Sequence, residues 1–557
     1  MKLKVFFLVS LLLISACSGH KSQNTSADSS HSPDEPYPDH LVFDHESGFF
    51  DKPFNLEIKG PKDYSIYYTF DNTDPDENCR RYNAPISIVD NSKNINVYSV
   101  KQNISSLDVY YPSDLVDKCV NLKVVGINTK TNEKTPISHL IYFVGYQNKN
   151  GYENMPVISL TLNDEDLFDY EKGIYVTGKI YDESEHTGYP ETYPANYHQK
   201  GKEWERPANF KYFDKDKNLV LEQDIGVRIH GGWSRAFNQK SFNLYARKDY
   251  SGTSTFGYPF FGDINAHSLM IRSGGYRDTF ATKIRDSLNQ DFSLDEKFDI
   301  QRSTPSIVFL NGEYWGIYNL QERYSDNYVK EHHGIKKDNV LIIKNDEIDE
   351  GNESDYHYYQ ELKDFFTNEE FTDNSKYELA KSYIDMEEFA SYMATQLYVG
   401  NIDWPANNVR IYRDISTDSK WHFMMFDTDD SEGMLSHMCS ANIDPFLTSS
   451  HWKSGPLENT CLLGLMLSKL ICNSSFKALF RNTFIRIARE KFTSTNVKNY
   501  LDVKVEQLKT PMVKNYHRFV NKDYNESTFL TYVSSIQAFF DERYDYAIGY
   551  LNTHIPE

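Results

Sequence analysis

Apolar and polar residues alternate along several stretches of this chain, and the period of the alternation separates strands from helices. Over 224–230, Val227 and Ile229 fall on one side and Arg228 and His230 on the other. Residues 208–213 repeat that period of two, and Met155-Pro156-Val157-Ile158-Ser159-Leu160 reads as a buried strand. Gly231-Gly232-Trp233-Ser234-Arg235 interrupts the pattern with a flexible loop, and alternation resumes over 240–247 with Lys240, Phe242, Leu244 and Ala246 on one face. A lysine there is costly to bury unless an anion meets it; the alternative is that Lys240 starts the strand and its ammonium reaches water. Phe280, Ile284, Leu288 and Phe292 recur every four residues, which predicts an amphipathic helix over 278–292 with Asp278 as its N-cap. Strands over 305–310 and 313–320 flank Asn311-Gly312, the strongest short hairpin signal. A further helix is predicted from Asp385 to Gly400, strands over 409–413 and 421–426, and helices from about 476 to 551. Strands first and helices afterwards give an α+β layout.

Residues 41–147 show no helical period and read as a separate β-rich unit. Its Ile66-Tyr67-Tyr68-Thr69-Phe70-Asp71-Asn72-Thr73-Asp74-Pro75 suggests strand, turn and strand, because Asn tolerates the positive φ such turns require. The change of pattern near residue 150 predicts that 154–557 folds without this unit.

The ends differ from both. Lys2 and Lys4 precede an apolar and small-residue run from Val5 to Ala16, about twelve residues against the roughly 20 a spanning helix needs. The run closes on Ile14-Ser15-Ala16-Cys17, a lipobox pattern, so 1–17 is expected to be a lipoprotein signal peptide with Cys17 lipidated. Residues 18–40, rich in Ser, Asp, Pro and His, form a flexible tether in this reading. The expected seat is the bacterial cell envelope, at the outer membrane, with the lipid on Cys17 as the membrane contact.

Net charge is −21, which argues against a nucleic-acid partner, since that needs clustered Lys and Arg. Five cysteines follow Cys17: Cys79, Cys119, Cys439, Cys461 and Cys472. None forms a C-x-x-C pair, so a zinc ribbon is unsupported. Export permits disulfides; Cys79 with Cys119, and one pair among the last three, are the open options.

The chemistry-bearing residues lie between 400 and 433. Pro405 forbids helix continuation, so Asn401-Ile402-Asp403-Trp404-Pro405-Ala406-Asn407-Asn408 is a loop, and the 421–426 strand delivers Asp427-Thr428-Asp429-Asp430 into another. A loop Asp, an Asn five residues later and a second Asp beyond a strand pair form a kinase-like arrangement. Phosphoryl transfer needs a carboxylate to position the attacking hydroxyl and oxygen ligands to hold Mg²⁺ against phosphates. Asp403 has the spacing for the first task, Asn408 and Asp427 for the second, and Asp429 to assist. A plain turn-and-capping role is the alternative. An EF-hand is excluded, because the loop lacks Gly at its sixth position and carries Met438 at its twelfth.

Two resemblances attach to these motifs. The 66–75 stretch with Arg81-Tyr82-Asn83-Ala84-Pro85-Ile86 resembles the small β-sandwich module at the C-terminus of chitobiases, with Asn72 and Thr73 where Gly and Ser are typical; a spacer role or glycan binding follows from it. From Met155 onward the chain resembles the CotH kinase family. The carriers are Met155 to Leu160, Gly226-Val227-Arg228-Ile229-His230-Gly231-Gly232, Lys240-Ser241-Phe242, Ile271-Arg272-Ser273-Gly274-Gly275, Phe309 to Tyr318 and Phe426-Asp427-Thr428-Asp429. The resemblance implies an atypical protein-kinase-like fold over 154–551, preceded by a β-sandwich module over 41–147. It also implies ATP with Mg²⁺ or Mn²⁺, and a secreted or envelope protein as substrate. Asp403 and Asp427 then belong to the active site, and Lys240 is the candidate for the phosphates. The 278–292 segment contains no Glu for the usual lysine–glutamate pair, so Glu322 is the candidate carboxylate. The rival readings are a catalytically silent envelope scaffold or adhesin, and a carbohydrate-associated lipoprotein.

Overall fold

The computed structural model describes residues 37–262, 264–417, 419–434, 439–447 and 461–557; the lipobox and Cys17 lie outside them. The N-terminal unit is built on a five-stranded sheet in the order Gly48–Phe50, Ser138–Val144, Val120–Asn128, Tyr64–Thr69, Arg80–Arg81. A two-stranded pair, Phe54–Leu56 with Ile86–Ile88, shares a core with it through Leu56, Ile88, Leu122, Val124, Leu140 and Tyr142. Asn72 takes φ 65°, the turn conformation its side chain tolerates.

Seven strands then close into a barrel in the order Val157–Thr161, Arg206–Phe213, Leu219–His230, Ser241–Tyr245, Ser268–Arg272, Glu313–Glu322, Ser303–Leu310. The ring closes where Val157–Thr161 pairs in parallel with Ser303–Leu310. Inside lie Ile158, Phe210, Val227, Phe242, Leu244, Leu269, Ile271, Val308 and Leu320. The period of two therefore turns Arg228, His230 and Arg272 outward. Asn311 and Gly312 take φ 50° and 86° in the two-residue turn that joins the last two strands. A smaller sheet, Glu347–Glu350, Val340–Lys344, Arg410–Asp414 and His422–Phe423, follows, and long helices complete the chain, among them Met386–Val399, Ser494–Phe519 and Glu526–His554. Among the described residues no single helix is long and apolar enough to cross a membrane.

The boundary near residue 150 divides the sequence pattern but not the packing. Phe143 and Tyr146 share one core with Phe213 and Phe309. At the hairpin, the Glu313 carboxylate accepts the backbone N–H groups of Val97 (2.6 Å), Tyr98 (3.1 Å) and Ser99 (2.8 Å), and Cys119 N–H donates to the Gly312 carbonyl at 2.9 Å.

Two local expectations change. The 278–292 segment is a 3₁₀ turn, Asp278–Phe280, followed by a helix only from Arg285 to Phe292. The Asp278 carboxylate accepts from Thr282 N–H at 2.9 Å and pairs with Arg285 at 2.9 Å, so it caps one turn later than its position suggests. Between them Lys283 takes φ 61°, and its buried ammonium donates to the Gln239 side-chain oxygen (3.0 Å) and to the Thr279 (2.7 Å) and Ser273 carbonyls. Among the described residues Cys79, Cys119, Cys461 and Cys472 are free thiols. Cys119 faces the Gly312 carbonyl, whereas the Cys79 thiol turns back onto Asp76, so the two do not meet.

Candidate active site

The helix Met386–Val399 is buried along nearly its whole length, begins where Asp385 caps the N–H groups of Glu387 (2.9 Å) and Glu388 (3.0 Å), and stops at Gly400, φ 70°. Gly400 supplies the left-handed turn that ends a helix at no steric cost and aims the next residues across the molecule. Asp403 lies in that loop. Its Oδ2 accepts from the side-chain amides of Asn407 (2.9 Å) and Asn408 (2.8 Å), and the Asn408 amide also donates to the Asp427 carbonyl at 3.2 Å. With its nitrogen committed to these two acceptors, Asn408 has its amide oxygen left to meet a cation. Asn408 and Asp427 both hold positive φ, 55° and 56°, which short polar side chains accept and β-branched ones do not. The structure thus brings Asp403, Asn408 and Asp427 together from two loops.

Arg272 joins them from the barrel. Its guanidinium contacts Asp427, reaches Asp429 at 2.5 Å and lies 3.6 Å from Asp286 on the following helix. Asp286 is held in turn by the Thr428 N–H at 2.9 Å. The Arg272 and Asp429 side chains are each 5% exposed, whereas the Asp427 carboxylate is 42% exposed, so it is the face of the cluster open to a ligand. Burial works to raise the Asp427 carboxyl, but the Arg272 guanidinium outweighs it and holds the group below the usual carboxylate range. Burial, with Asp427 and Asp430 adding like charge, drives Asp429 the other way. Desolvation of the partly buried Asp430 carboxyl pushes it up to about 7, with Arg277 at 3.5 Å only partly offsetting that. Asp429 further accepts the Tyr276 N–H at 3.0 Å across Gly275, φ 83°, where an added Cβ would fall 2.1 Å from its Oδ1. Only glycine fits there.

Lys240 and Glu322 are placed elsewhere. Lys240 is wholly buried, its ammonium donating to the carbonyls of Arg235 (2.6 Å) and Phe237 (2.7 Å) and lying 4.0 Å from the Tyr197 ring. It neither reaches water nor faces an anion, and burial drives its pKa well down. Glu322 pairs with Arg302 at 2.6 Å and His332 at 3.0 Å. The ladder sets Leu244 opposite Leu269 and Leu269 opposite Glu322. Lys240 is four positions from Leu244, so it and Glu322 sit at opposite ends of the sheet, roughly 13 Å apart along the strands.

Sequence reasoning missed the cations that do approach Asp427. Arg272 had one signal, a charged residue closing the apolar strand Leu269-Met270-Ile271 next to Gly274-Gly275. Lys344 and Arg410, opposite each other in their strand pair, flank the ring of Phe426 at 5.2 and 4.7 Å, one residue before Asp427. Burial, with Arg410 adding like charge, pushes Lys344 down to about 8.

Glu432, at the end of the same loop, is wholly buried, with Arg285 at 3.9 Å and, among the described residues, no well-aligned hydrogen-bond donor to either carboxyl oxygen. Burial pushes its carboxyl up to about 8. A carboxyl whose folded value lies above its unfolded one, ~4.3, costs nothing below that pH and its full cost above the folded value. Glu432→Gln is therefore expected to match the parent near pH ~4.5 and to exceed its stability by about 2–4 kcal/mol above the folded pKa. Urea unfolding across that range checks it, and a difference independent of pH would refute it.

Among the described residues no group of three His, Cys, Asp or Glu is set to hold a metal alone. Mg²⁺ bound beside a nucleotide needs only one or two carboxylates, because phosphates and water fill the rest. The exposed Asp427 carboxylate and the Asn408 amide oxygen are hard oxygen donors of that kind, so the residues present fit such an ion. A family model described as CotH kinase protein matches residues 227–547, and a model of the chitobiase/beta-hexosaminidase C-terminal domain matches residues 45–111. No curated protein matches the chain.

Proposed function

This chain belongs to the CotH kinase protein family, and on that premise we propose that it transfers the terminal phosphoryl group of ATP to a Ser, Thr or Tyr hydroxyl of a secreted or envelope protein. The observation that carries the reading is the triad itself. Asp403 and Asn408, five residues apart and hydrogen-bonded at 2.8 Å, sit against Asp427, four residues beyond the His422–Phe423 strand. That is the spacing by which protein kinases combine a catalytic-loop Asp and Asn with a metal-binding Asp. A second observation supports it: Arg272 on the barrel lies 3.6 Å from Asp286 on the following helix, a pairing of strand cation and helix carboxylate similar in kind to the lysine–glutamate pair of protein kinases.

In this reading Asp403 accepts the proton of the attacking hydroxyl as its oxygen bonds to phosphorus and the bond to the leaving ADP oxygen breaks. Asn407 and Asn408 fix the orientation of Asp403. Asp427 and Asn408, with Asp429 behind them, would hold Mg²⁺ or Mn²⁺, which when bound neutralises charge on the phosphates. Arg272 and Lys344 approach from either side. Lys240 acts one step back, by tying the glycine loop. The full chain in detergent, incubated with labelled ATP and Mg²⁺ or Mn²⁺, is expected to label itself or an added acceptor. Absence of both label and any nucleotide-dependent thermal shift would replace this reading with a silent envelope scaffold.

The lipobox extends the proposal to location: a lipid on Cys17 holds the enzyme at the envelope surface. Cys17→Ala is expected to abolish palmitate incorporation and leave the leader uncleaved. Equal incorporation in variant and parent would remove the anchor from the proposal.

A further inference from the structure

The N-terminal β-module resembles a part that serves elsewhere as a spacer, yet one of its segments runs to the glycine loop of the barrel. Residues 91–117 leave the module between its Ile86–Ile88 and Val120–Asn128 strands and cross onto the barrel, where Tyr98 and Ile104 are buried in the barrel's own core. Three residues fix the crossing. The Asn103 carbonyl accepts the Thr177 N–H at 2.8 Å. The Ser106 hydroxyl donates to the Pro190 carbonyl at 2.6 Å and accepts from the Tyr197 hydroxyl at 3.0 Å, while Ser106 N–H donates back to that hydroxyl at 3.2 Å. The Tyr110 carbonyl accepts from the Asn238 side chain at 3.3 Å.

Tyr197 is the relay. Its backbone carbonyl accepts from the Arg235 guanidinium at 3.0 Å, and the Arg235 Nε donates to the Gly231 carbonyl at 2.6 Å. Its ring lies 4.0 Å from the Lys240 ammonium, which holds the carbonyls of Arg235 and Phe237. Asn238 closes the far side of the loop, donating also to the Phe519 carbonyl at 3.2 Å. Both ends of the loop at 231–237 are thus held by buried cations, and both cations lean on one tyrosine whose hydroxyl is held by the module. Glycine loops are mobile unless tied, because glycine has the most backbone freedom to lose.

We infer that the β-module is an intramolecular brace for the glycine loop, acting through Ser106, Tyr197 and Asn238, and that nucleotide affinity depends on it. The second clause rests on the proposed function; the first does not. Tyr197→Phe removes only the hydroxyl. In the full chain without nucleotide it is expected to speed amide exchange over 231–237 by roughly three- to ten-fold, the worth of one or two buried hydrogen bonds. Exchange in the Ser268–Arg272 strand is expected to stay unchanged. Ser106→Ala should act in the same direction, and adding it to Tyr197→Phe should add less than its own single effect, since the two share the Tyr197–Ser106 link and only the Ser106–Pro190 bond is left to lose. Lys130→Met, which breaks an ion pair to Asp63 at 2.7 Å inside the module, is the control and should leave 231–237 alone. ATP–Mg²⁺ affinity, measured by calorimetry, is expected to fall by a similar factor in the two brace variants. Unchanged exchange over 231–237, equal acceleration throughout the barrel, or an equal effect of Lys130→Met would overturn the brace. Faster loop exchange with no ATP–Mg²⁺ binding in the parent would keep the brace and overturn the nucleotide reading.

Discussion

Asp427→Ala is expected to abolish metal-dependent nucleotide binding in a chain that still melts cooperatively. The carboxylate is 42% exposed and sits on a loop, so its removal creates no cavity, and Arg272 keeps Asp429 and Asp286 as partners. Asp403→Ala should behave differently. In the proposed reading it leaves the Asp427 carboxylate in place and removes the group that would receive the hydroxyl proton, so nucleotide affinity is largely retained while transfer falls by about 10²-fold or more. Thermal shifts of parent and variants with ATP–Mg²⁺, ATP alone and Ca²⁺ separate the outcomes. If both residues serve only as turn and capping groups, both changes lower the melting temperature and neither affects nucleotide selectively. A calcium site would instead show Asp427→Ala losing a shift that Ca²⁺ alone produces.

The second large effect belongs to Arg272. It is the counter-charge for three carboxylates, two of which are nearly inaccessible to water. Removing one partner of a buried charge cluster strands the others, at a cost of about 3–5 kcal/mol. Arg272→Met is therefore expected to lower stability by that amount in urea unfolding, before any question of catalysis arises. Arg272→Lys keeps the charge but cannot span three acceptors with one ammonium. It should fold nearly as well as the parent and, if the guanidinium fork also meets the phosphates in the proposed complex, bind ATP–Mg²⁺ about ten-fold more weakly. Equal stability of Arg272→Met and parent would mean that the carboxylates share protons among themselves and do not need the guanidinium.

What could be read from the sequence follows the range of the interactions involved. Asp403 and Asn408 are five residues apart on one loop, so their relation is local and spacing alone suggests it. Asp427 announces itself at the end of an apolar strand. The Asn311-Gly312 hairpin and the helix between Asp385 and Gly400 carry their turn and cap residues with them. Arg272 is different: its partners Asp286, Asp427 and Asp429 are set by the barrel, a helix and a distant loop, and no period encodes that meeting. Lys240 shows the same limit from the other side. Alternation correctly put it on the apolar face, but its anchors are main-chain carbonyls of a loop, which leave no mark in side-chain chemistry. The helix expected over 278–292 fails for a related reason, since Lys283 leaves helical geometry where its ammonium reaches loop carbonyls across the barrel mouth. The continuous core between the β-module and the barrel was likewise hidden, because a change of pattern marks a change of architecture and not a gap in packing.

The closed ring of seven strands has a consequence for how this molecule can be approached. A sheet edge is a row of unpaired donors and acceptors that another chain can extend. The barrel has none, since its first strand pairs with Ser303–Leu310. The smaller sheet ends on Glu347–Glu350, which carries three acidic residues in four, and on the two-residue His422–Phe423. The module's main sheet ends on the three-residue Gly48–Phe50 and on the adjacent Arg80 and Arg81. Every edge of the three larger sheets is thus missing, very short or charged. An acceptor polypeptide cannot be captured by adding itself to these sheets as a strand, and neither can a second copy of the chain. In the proposed reading recognition falls to side chains and loops, and the same geometry protects these three sheets against edge-to-edge association.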